Sequence, residues 1–247
     1  GGGVNASLSL IYSSGSSVSG AAYYCVGNDF SNITVSGAFL INGLVNIDGA
    51  SVANCPVKII SGNILTNWAG GSLVISMIYG TNYGGTTSAI TENTLSNIST
   101  QANVDAIRIA NASMLEVNNN IIENISSTGS SKSVYGINSS GFIDQLSISK
   151  NLIHTLNSSF AVGIYADAGA AILIDQNKIY NINASASNGF SSGIRVRSLV
   201  SSTVTLQNNI IGKITAPTTS YGANGIPVTG IHLFPALVSS NFNIYNN

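Results

Sequence analysis

Asparagine recurs along this chain at a fixed offset from aliphatic side chains. Each of seven asparagines has an aliphatic residue three positions before it and, where the chain continues, another two positions after it. Successive members lie 26 to 38 residues apart, and the seven are Asn63, Asn93, Asn120, Asn151, Asn177, Asn209 and Asn247. Self-similarity at a period of roughly 20 to 50 residues is typical of a solenoid, in which each repeat buries its apolar face against the next.

Within a repeat the aliphatic residues alternate with other residues, as at Leu115 and Val117 or at Ile172 and Ile174. A period of two indicates strands. Because asparagine tolerates left-handed backbone, we expect each of the seven to turn the chain at a corner and to bond its amide to the coils above and below. The sequence therefore predicts an all-β fold, a right-handed single-stranded parallel β-helix of about seven to nine coils with an asparagine ladder.

The regular repeats occupy residues 56–247, whereas residues 1–55 are strand-like but lack the asparagine register. That first segment is expected to form either degenerate coils or a different packing at one end. We expect a single β-helix domain over residues 1–247. A β-helix left open at Asn247 would expose an unpaired strand edge, so the chain is expected to be a fragment of a longer protein.

Charged residues make up only 7% of the 247 residues, and the formal net charge is -1. Binding to nucleic acid relies on basic residues that displace counterions, and the eight cationic residues here are scattered. No apolar run approaches the roughly 18 residues that a membrane span needs. This composition agrees with an extracellular protein, and we expect it neither to bind nucleic acid nor to insert into a membrane.

The two cysteines, Cys25 and Cys55, are 30 residues apart, which is close to one repeat. If they stack in neighbouring coils, their Cα atoms would be about 5 Å apart, within the range of a disulfide. The alternative is a pair of buried thiols that act as small hydrophobic residues.

A second strand in each repeat carries a pair such as Gly-Ile, and the residue after each pair should point outward. These residues predict a row of side chains on one face: Arg108, Asn138, Tyr165, Arg195 and His232. Such side chains can bind a glycan by stacking and hydrogen bonding. Solvated polar decoration of the surface is the alternative interpretation.

Catalytic chemistry finds little support along this predicted row. Glycoside hydrolysis needs two carboxylates about 5 to 10 Å apart, and eliminative lyases need a base together with acidic calcium ligands. Only Asp167 falls close to the row, and Asp105 precedes one of its members. His154 has no Cys, Asp or second His at ligand spacing, so we expect it at the surface. We predict no catalytic residue, no metal site and no cofactor.

Several stretches of the chain resemble a known family. They are LQNNIIGKITAP, GIPVTGIHL and NFNIYNN, with DQNKIYNINAS and NNNIIENISS upstream. These sequences resemble those of the very large β-strand-repeat surface proteins of Bacteroidota, which are exported by the type IX secretion system and include gliding adhesins. The resemblance covers about residues 60–247. It implies a surface-displayed filament or adhesin with a C-terminal export signal that this chain does not contain, and it transfers no catalytic motif.

Two functional hypotheses remain. The first is a non-catalytic structural or adhesive repeat protein of the cell surface, whose partners are other copies or domains of the same surface protein, glycans, or a host or substrate surface. The second is a polysaccharide-degrading lyase or glycoside hydrolase on the same scaffold. Fold alone does not choose between them.

Overall fold

The computed structural model describes residues 6–15, 20–37, 39–49, 51, 53–167, 169–198, 201–217, 228–235 and 240–247. These residues form a parallel β-solenoid of about seven turns, with no helix among them. Consequently, no segment of this part of the chain is a helix long and apolar enough to cross a membrane. The all-β parallel β-helix predicted from the sequence is confirmed.

Each coil contributes strands to three faces, which we number in the order in which the chain visits them. Face 1 contains β1 (Ala6–Ser13), β4 (Phe39–Asn46), β7 (Val74–Tyr83), β10 (Asn103–Asn118), β12 (Ser133–Ser149), β14 (Phe160–Asp167), β17 (Ser191–Ser198) and β20 (Val228–Pro235). These strands pair in parallel in that order. Strands β10 and β12 are long and continue from face 1 onto face 2.

Face 2 also contains β2 (Ala22–Val26), β5 (Val57–Ser61), β8 (Ser88–Thr91), β15 (Ala171–Asp175), β18 (Thr203–Gln207) and β21 (Asn241–Tyr245). Face 3 is a separate sheet of seven strands, β3 (Thr34–Val35), β6 (Ile64–Gly70), β9 (Thr94–Thr100), β11 (Ile121–Ser127), β13 (Leu152–Ser158), β16 (Lys178–Ala184) and β19 (Ile210–Thr215). Neighbouring parallel strands lie about 4.8 Å apart, which sets the rise per coil.

The predicted asparagine ladder runs along the corner between faces 2 and 3. Each side-chain amide donates to Oδ1 of the asparagine one coil further along, at 2.7 to 3.0 Å from Asn63 to Asn247. It also donates to a backbone carbonyl of the preceding coil, as Asn151 does to Val117 at 2.9 Å. The backbone N–H of each ladder residue donates to the same Oδ1 as its side chain, at 3.0 Å for Asn151 on Asn177. The ladder amides are therefore bonded in both directions along the stack.

The ladder begins one coil earlier than the sequence indicated. Asn28 donates from its side chain to Oδ1 of Asn63 at 2.9 Å. Residues before Asn63 thus continue the solenoid, since β1 pairs with β4, β2 with β5 and β3 with β6, all in parallel. Of the two interpretations for the first 55 residues, the described part forms degenerate coils.

The prediction that the ladder asparagines themselves adopt left-handed backbone is wrong. Positive φ occurs instead at the residue before each of them: Gly27, Gly62, Glu92, Asn119, Lys150, Gln176, Asn208 and Asn246. The reason is that a ladder residue must point its amide into the stack while its own N–H bonds to the next coil. The sharp turn therefore falls one position earlier.

The aliphatic residues that flank the ladder form the core. Those three positions before it are fully buried from Ile60 to Leu206, and those two positions after it are fully buried from Leu65 to Ile179. Ile244, in the last strand, is 48% exposed. Burying one such side chain contributes about 1.5 to 3 kcal/mol, so the repeated offsets supply much of the stabilisation.

The cysteines are not joined by a disulfide. Cys25 pairs in register with Ile60, so it occupies the aliphatic position three before Asn28 and does not stack on Cys55. Both side chains are buried, and burial raises the pKa of each thiol. The structure therefore agrees with the alternative of two buried thiols.

One buried cation lies in the first coils. Lys58 is fully buried, and its Nζ donates to the backbone carbonyls of Asp48 at 2.8 Å and Thr81 at 2.5 Å. Burial lowers the pKa of Lys58 to about 8, although the nearby Asp48 carboxylate opposes that shift. The ammonium thus links β5 to the backbone at Asp48 and to β7. These hydrogen bonds explain how a lysine is accommodated in an apolar core.

Candidate functional site

A row of side chains crosses face 1 from coil to coil. The strand registers place the five predicted residues in this row, with one tyrosine added before them: Tyr79, Arg108, Asn138, Tyr165, Arg195 and His232. We call these six residues the face 1 row. At about 4.8 Å per coil the row is about 24 Å long. Sequence reasoning missed Tyr79 because it follows Met77-Ile78 and not a Gly-Ile pair.

Asp105 organises the first part of the row. Its carboxylate accepts a hydrogen bond from Nδ2 of Asn138 at 2.8 Å and lies 4.0 Å from Nε of Arg108. The Arg108 guanidinium in turn lies over the Tyr79 ring, 5.1 Å from its centroid. Burial raises the pKa of Asp105, while the amide and the guanidinium oppose that shift. These contacts hold the row residues in place without placing a second carboxylate beside Asp105.

A second carboxylate, Asp167, lies beside the middle of the row. It forms an ion pair with Arg197, whose Nε donates to Oδ1 at 2.9 Å and whose Nη2 donates to Oδ2. This hydrogen bonding raises the pKa of Arg197. The Tyr165 hydroxyl is 3.4 Å from Oδ2 of Asp167, and burial raises the pKa of Tyr165. Asp167 is thus a partner of a neighbouring arginine and a neighbouring tyrosine.

The far part of the row is a cation held by aromatic rings. Arg195 lies between Phe190 and Phe234, with its guanidinium carbon 4.4 and 4.7 Å from their ring centroids. His232 packs against Phe234 at 3.9 Å between centroids. Burial lowers the pKa of both Arg195 and His232, and in His232 the Arg195 charge adds to that shift. Both effects favour the neutral form of the His232 imidazole.

The two aspartates beside the row do not form a catalytic pair. Asp105 lies in β10 and Asp167 in β14, with β12 between them, so the coil rise alone separates them by about 10 Å. They are further offset along the strand direction, since Asp105 is level with Tyr135 and Val162, five positions before Asp167. Within the described ranges no group of three His, Cys, Asp or Glu residues could hold a metal ion.

Face 3 carries a second polar cluster, which is centred on the partly exposed side chain of His154. His154 is 2.8 Å from Glu123 through Nε2 and 3.0 Å from the Thr155 hydroxyl through Nδ1. Its ring stacks on Tyr180 at 4.7 Å. Glu123 and His154 are 31 positions apart in the sequence, His154 and Tyr180 are 26 apart, and the coil register places the three side by side. A spacing of one repeat is the signal that could have found them.

The chain matches no family model, no curated protein and no solved structure. The fold and the geometry of the face 1 row are therefore the basis for a functional interpretation.

Proposed function

We propose that this protein is a non-catalytic extracellular structural or adhesive repeat protein, which forms part of a cell-surface filament or adhesin and presents the face 1 row to other molecules. Its partners would be other copies or domains of the same surface protein and glycans or a target surface. The family resemblance of residues 60–247 supports export by the type IX secretion system of Bacteroidota.

The observation that carries this proposal is the placement of the two aspartates on face 1. Acid–base cleavage of a sugar chain needs positioned partners with separated pKa values. Asp105 is bonded to Asn138, Asp167 is paired with Arg197, and about 10 Å of coil rise separates the carboxylates. The row thus offers hydrogen-bonding and aromatic groups without a carboxylate pair.

The test is to incubate the purified chain with acidic and neutral polysaccharides, with and without calcium, and to measure new reducing ends and unsaturated uronates. We expect no turnover above a blank without protein. Turnover that disappears in Arg195→Ala or Asp167→Ala would overturn the proposal.

A second candidate, eliminative cleavage of a polysaccharide, is favoured by one observation. His232 lies level with Arg195 in the next coil, and burial and the Arg195 charge lower its pKa, which favours a neutral imidazole that can accept a proton. The same incubation distinguishes this candidate, because it predicts unsaturated products that His232→Gln abolishes.

A further inference from the structure

Arg195 differs from the other two arginines of the chain in having no carboxylate partner. Arg108 lies beside Asp105, and Arg197 is paired with Asp167. All nine Asp and Glu residues belong to the described part of the chain, and none of them forms an ion pair with Arg195. The charge of Arg195 is therefore uncompensated within the fold.

An uncompensated cation is costly when it is partly removed from water. The Nε atom of Arg195 is buried and has no hydrogen-bond partner among the residues that the structure describes. The rings of Phe190 and Phe234 cover the guanidinium and fix its orientation, which leaves an immobilised donor group beside Tyr165 and His232 in the adjacent coils. A fixed guanidinium loses little side-chain entropy when an anion binds, so the arrangement favours an anionic ligand.

We propose that Arg195 is the anion-recognition residue of a binding site for an acidic polysaccharide, a chain of uronic acid sugars whose carboxylate accepts hydrogen bonds from the guanidinium. Tyr165 and His232 flank that carboxylate in the row. This inference rests on the proposed ligand-presenting function and adds the substrate class to it.

The shape and charge of the row favour a sugar polymer over other anions. Its six members extend over about 24 Å, which suits a linear chain better than a compact ligand. Besides Arg195, the row offers a second guanidinium, two tyrosine hydroxyls and an imidazole, which are groups that bind sugar hydroxyls. The net charge of -1 provides no long-range attraction to a polyanion, so recognition would depend on the local contact with Arg195.

The experiment measures binding of the wild-type chain to polygalacturonate and to the same polymer after its carboxyl groups have been reduced to alcohols. Affinity electrophoresis or calorimetry supplies the dissociation constants. We expect binding to polygalacturonate and binding at least about tenfold weaker to the reduced polymer, since charge-assisted hydrogen bonds are lost.

Three variants locate the effect. Arg195→Gln should weaken binding to polygalacturonate by about tenfold or more, and Arg195→Lys should retain part of the affinity because it keeps the charge without the planar fork. Lys213→Gln is the matched control, since it removes one exposed positive charge on face 3 and should bind as the wild type does. The thermal midpoint of each variant checks that the fold is retained.

Equal binding of the two polymers, no binding of either, or unchanged binding by a folded Arg195→Gln variant would each overturn the assignment of Arg195. These outcomes are separate from failure of the proposed function. Release of reducing ends or unsaturated uronates during the binding experiment would refute the non-catalytic role while leaving Arg195 as the anion-binding residue.

Discussion

Two lines of asparagines run along this molecule, and only one of them is buried. The first is the ladder between faces 2 and 3, whose members from Asn63 to Asn209 are at most 2% exposed. The second lies on face 3, four positions after the first, and we call it the outer asparagine line: Asn32, Asn67, Asn97 and Asn124. Both lines stack an amide on its counterpart in the neighbouring coil.

The bonds differ as the burial does. In the ladder each amide bonds to the next Oδ1 and to a backbone carbonyl, whereas the exposed amides of the outer line bond to each other at 3.1 to 3.3 Å and otherwise, among the described residues, only to the Thr66 hydroxyl at 3.4 Å. Further along, the outer position is occupied by Thr155, Asn181 and Lys213, all with positive φ, but the ladder position is always asparagine. Stacking alone therefore does not require asparagine at a position. Asparagine is required where the side chain is buried and must satisfy backbone groups.

Asn151→Leu tests the contribution of the buried ladder to stability, and we expect it to have the largest effect. The change removes the buried acceptor of both the backbone N–H and the side-chain amide of Asn120, and the side-chain donor to the Val117 carbonyl. Oδ1 of Asn177 keeps its hydrogen bond from the backbone N–H of residue 151. Each unsatisfied group costs about 1 to 3 kcal/mol, so we expect a loss of about 3 kcal/mol in the free energy of unfolding. Urea unfolding followed by circular dichroism measures it. A loss below about 0.5 kcal/mol, within the range of ordinary surface changes, would show that the ladder is dispensable.

The sequence predicts the ladder because burial enforces both asparagine and its aliphatic neighbours in every regular coil. It does not reveal Asn28 as a member, since Cys25 and Phe30 take the flanking positions that are aliphatic elsewhere. The sequence pattern also predicts left-handed backbone at the ladder asparagines, whereas the structure has it one residue earlier. Glu92, Lys150 and Gln176 have no propensity for positive φ, so the turn imposed by the stack overrides local preference there.

The candidate site was predictable only in part. The face 1 row follows from the repeat, because every member occupies the same place in its coil. The contacts of Arg195 do not follow, because the position of Phe190 is phenylalanine in the preceding coil, at Phe160, but serine in the coil before that, at Ser133. By contrast, the Glu123–His154 contact could have been predicted, since each residue lies three positions after a ladder asparagine and the two are therefore level in adjacent coils.

We expect an intermediate effect on stability when the residue before a ladder asparagine is replaced. Lys150 has φ of 57°, a conformation that costs a residue with a Cβ about 1 to 2 kcal/mol and costs glycine none. Since glycine also loses more entropy on folding, Lys150→Gly should raise the free energy of unfolding by about 0.5 to 1 kcal/mol. Lys150→Ala is the matched control, because it removes the side chain and keeps the strain. An equal gain in both variants would assign the effect to the lysine side chain.

We expect the smallest effect on stability in the outer asparagine line, where the stacked amides are exposed. Asn97→Gly removes the stacking amide at an exposed position whose φ of 57° glycine adopts without strain. Three exposed links disappear, to Asn67 at 3.2 Å, to the Thr66 hydroxyl at 3.4 Å and from Asn124 at 3.3 Å, and water can satisfy the groups that they connect. We therefore expect a change within about 0.5 kcal/mol in urea unfolding, where surface substitutions usually fall. A loss as large as that of Asn151→Leu would mean that stacking itself, independent of burial, stabilises the solenoid.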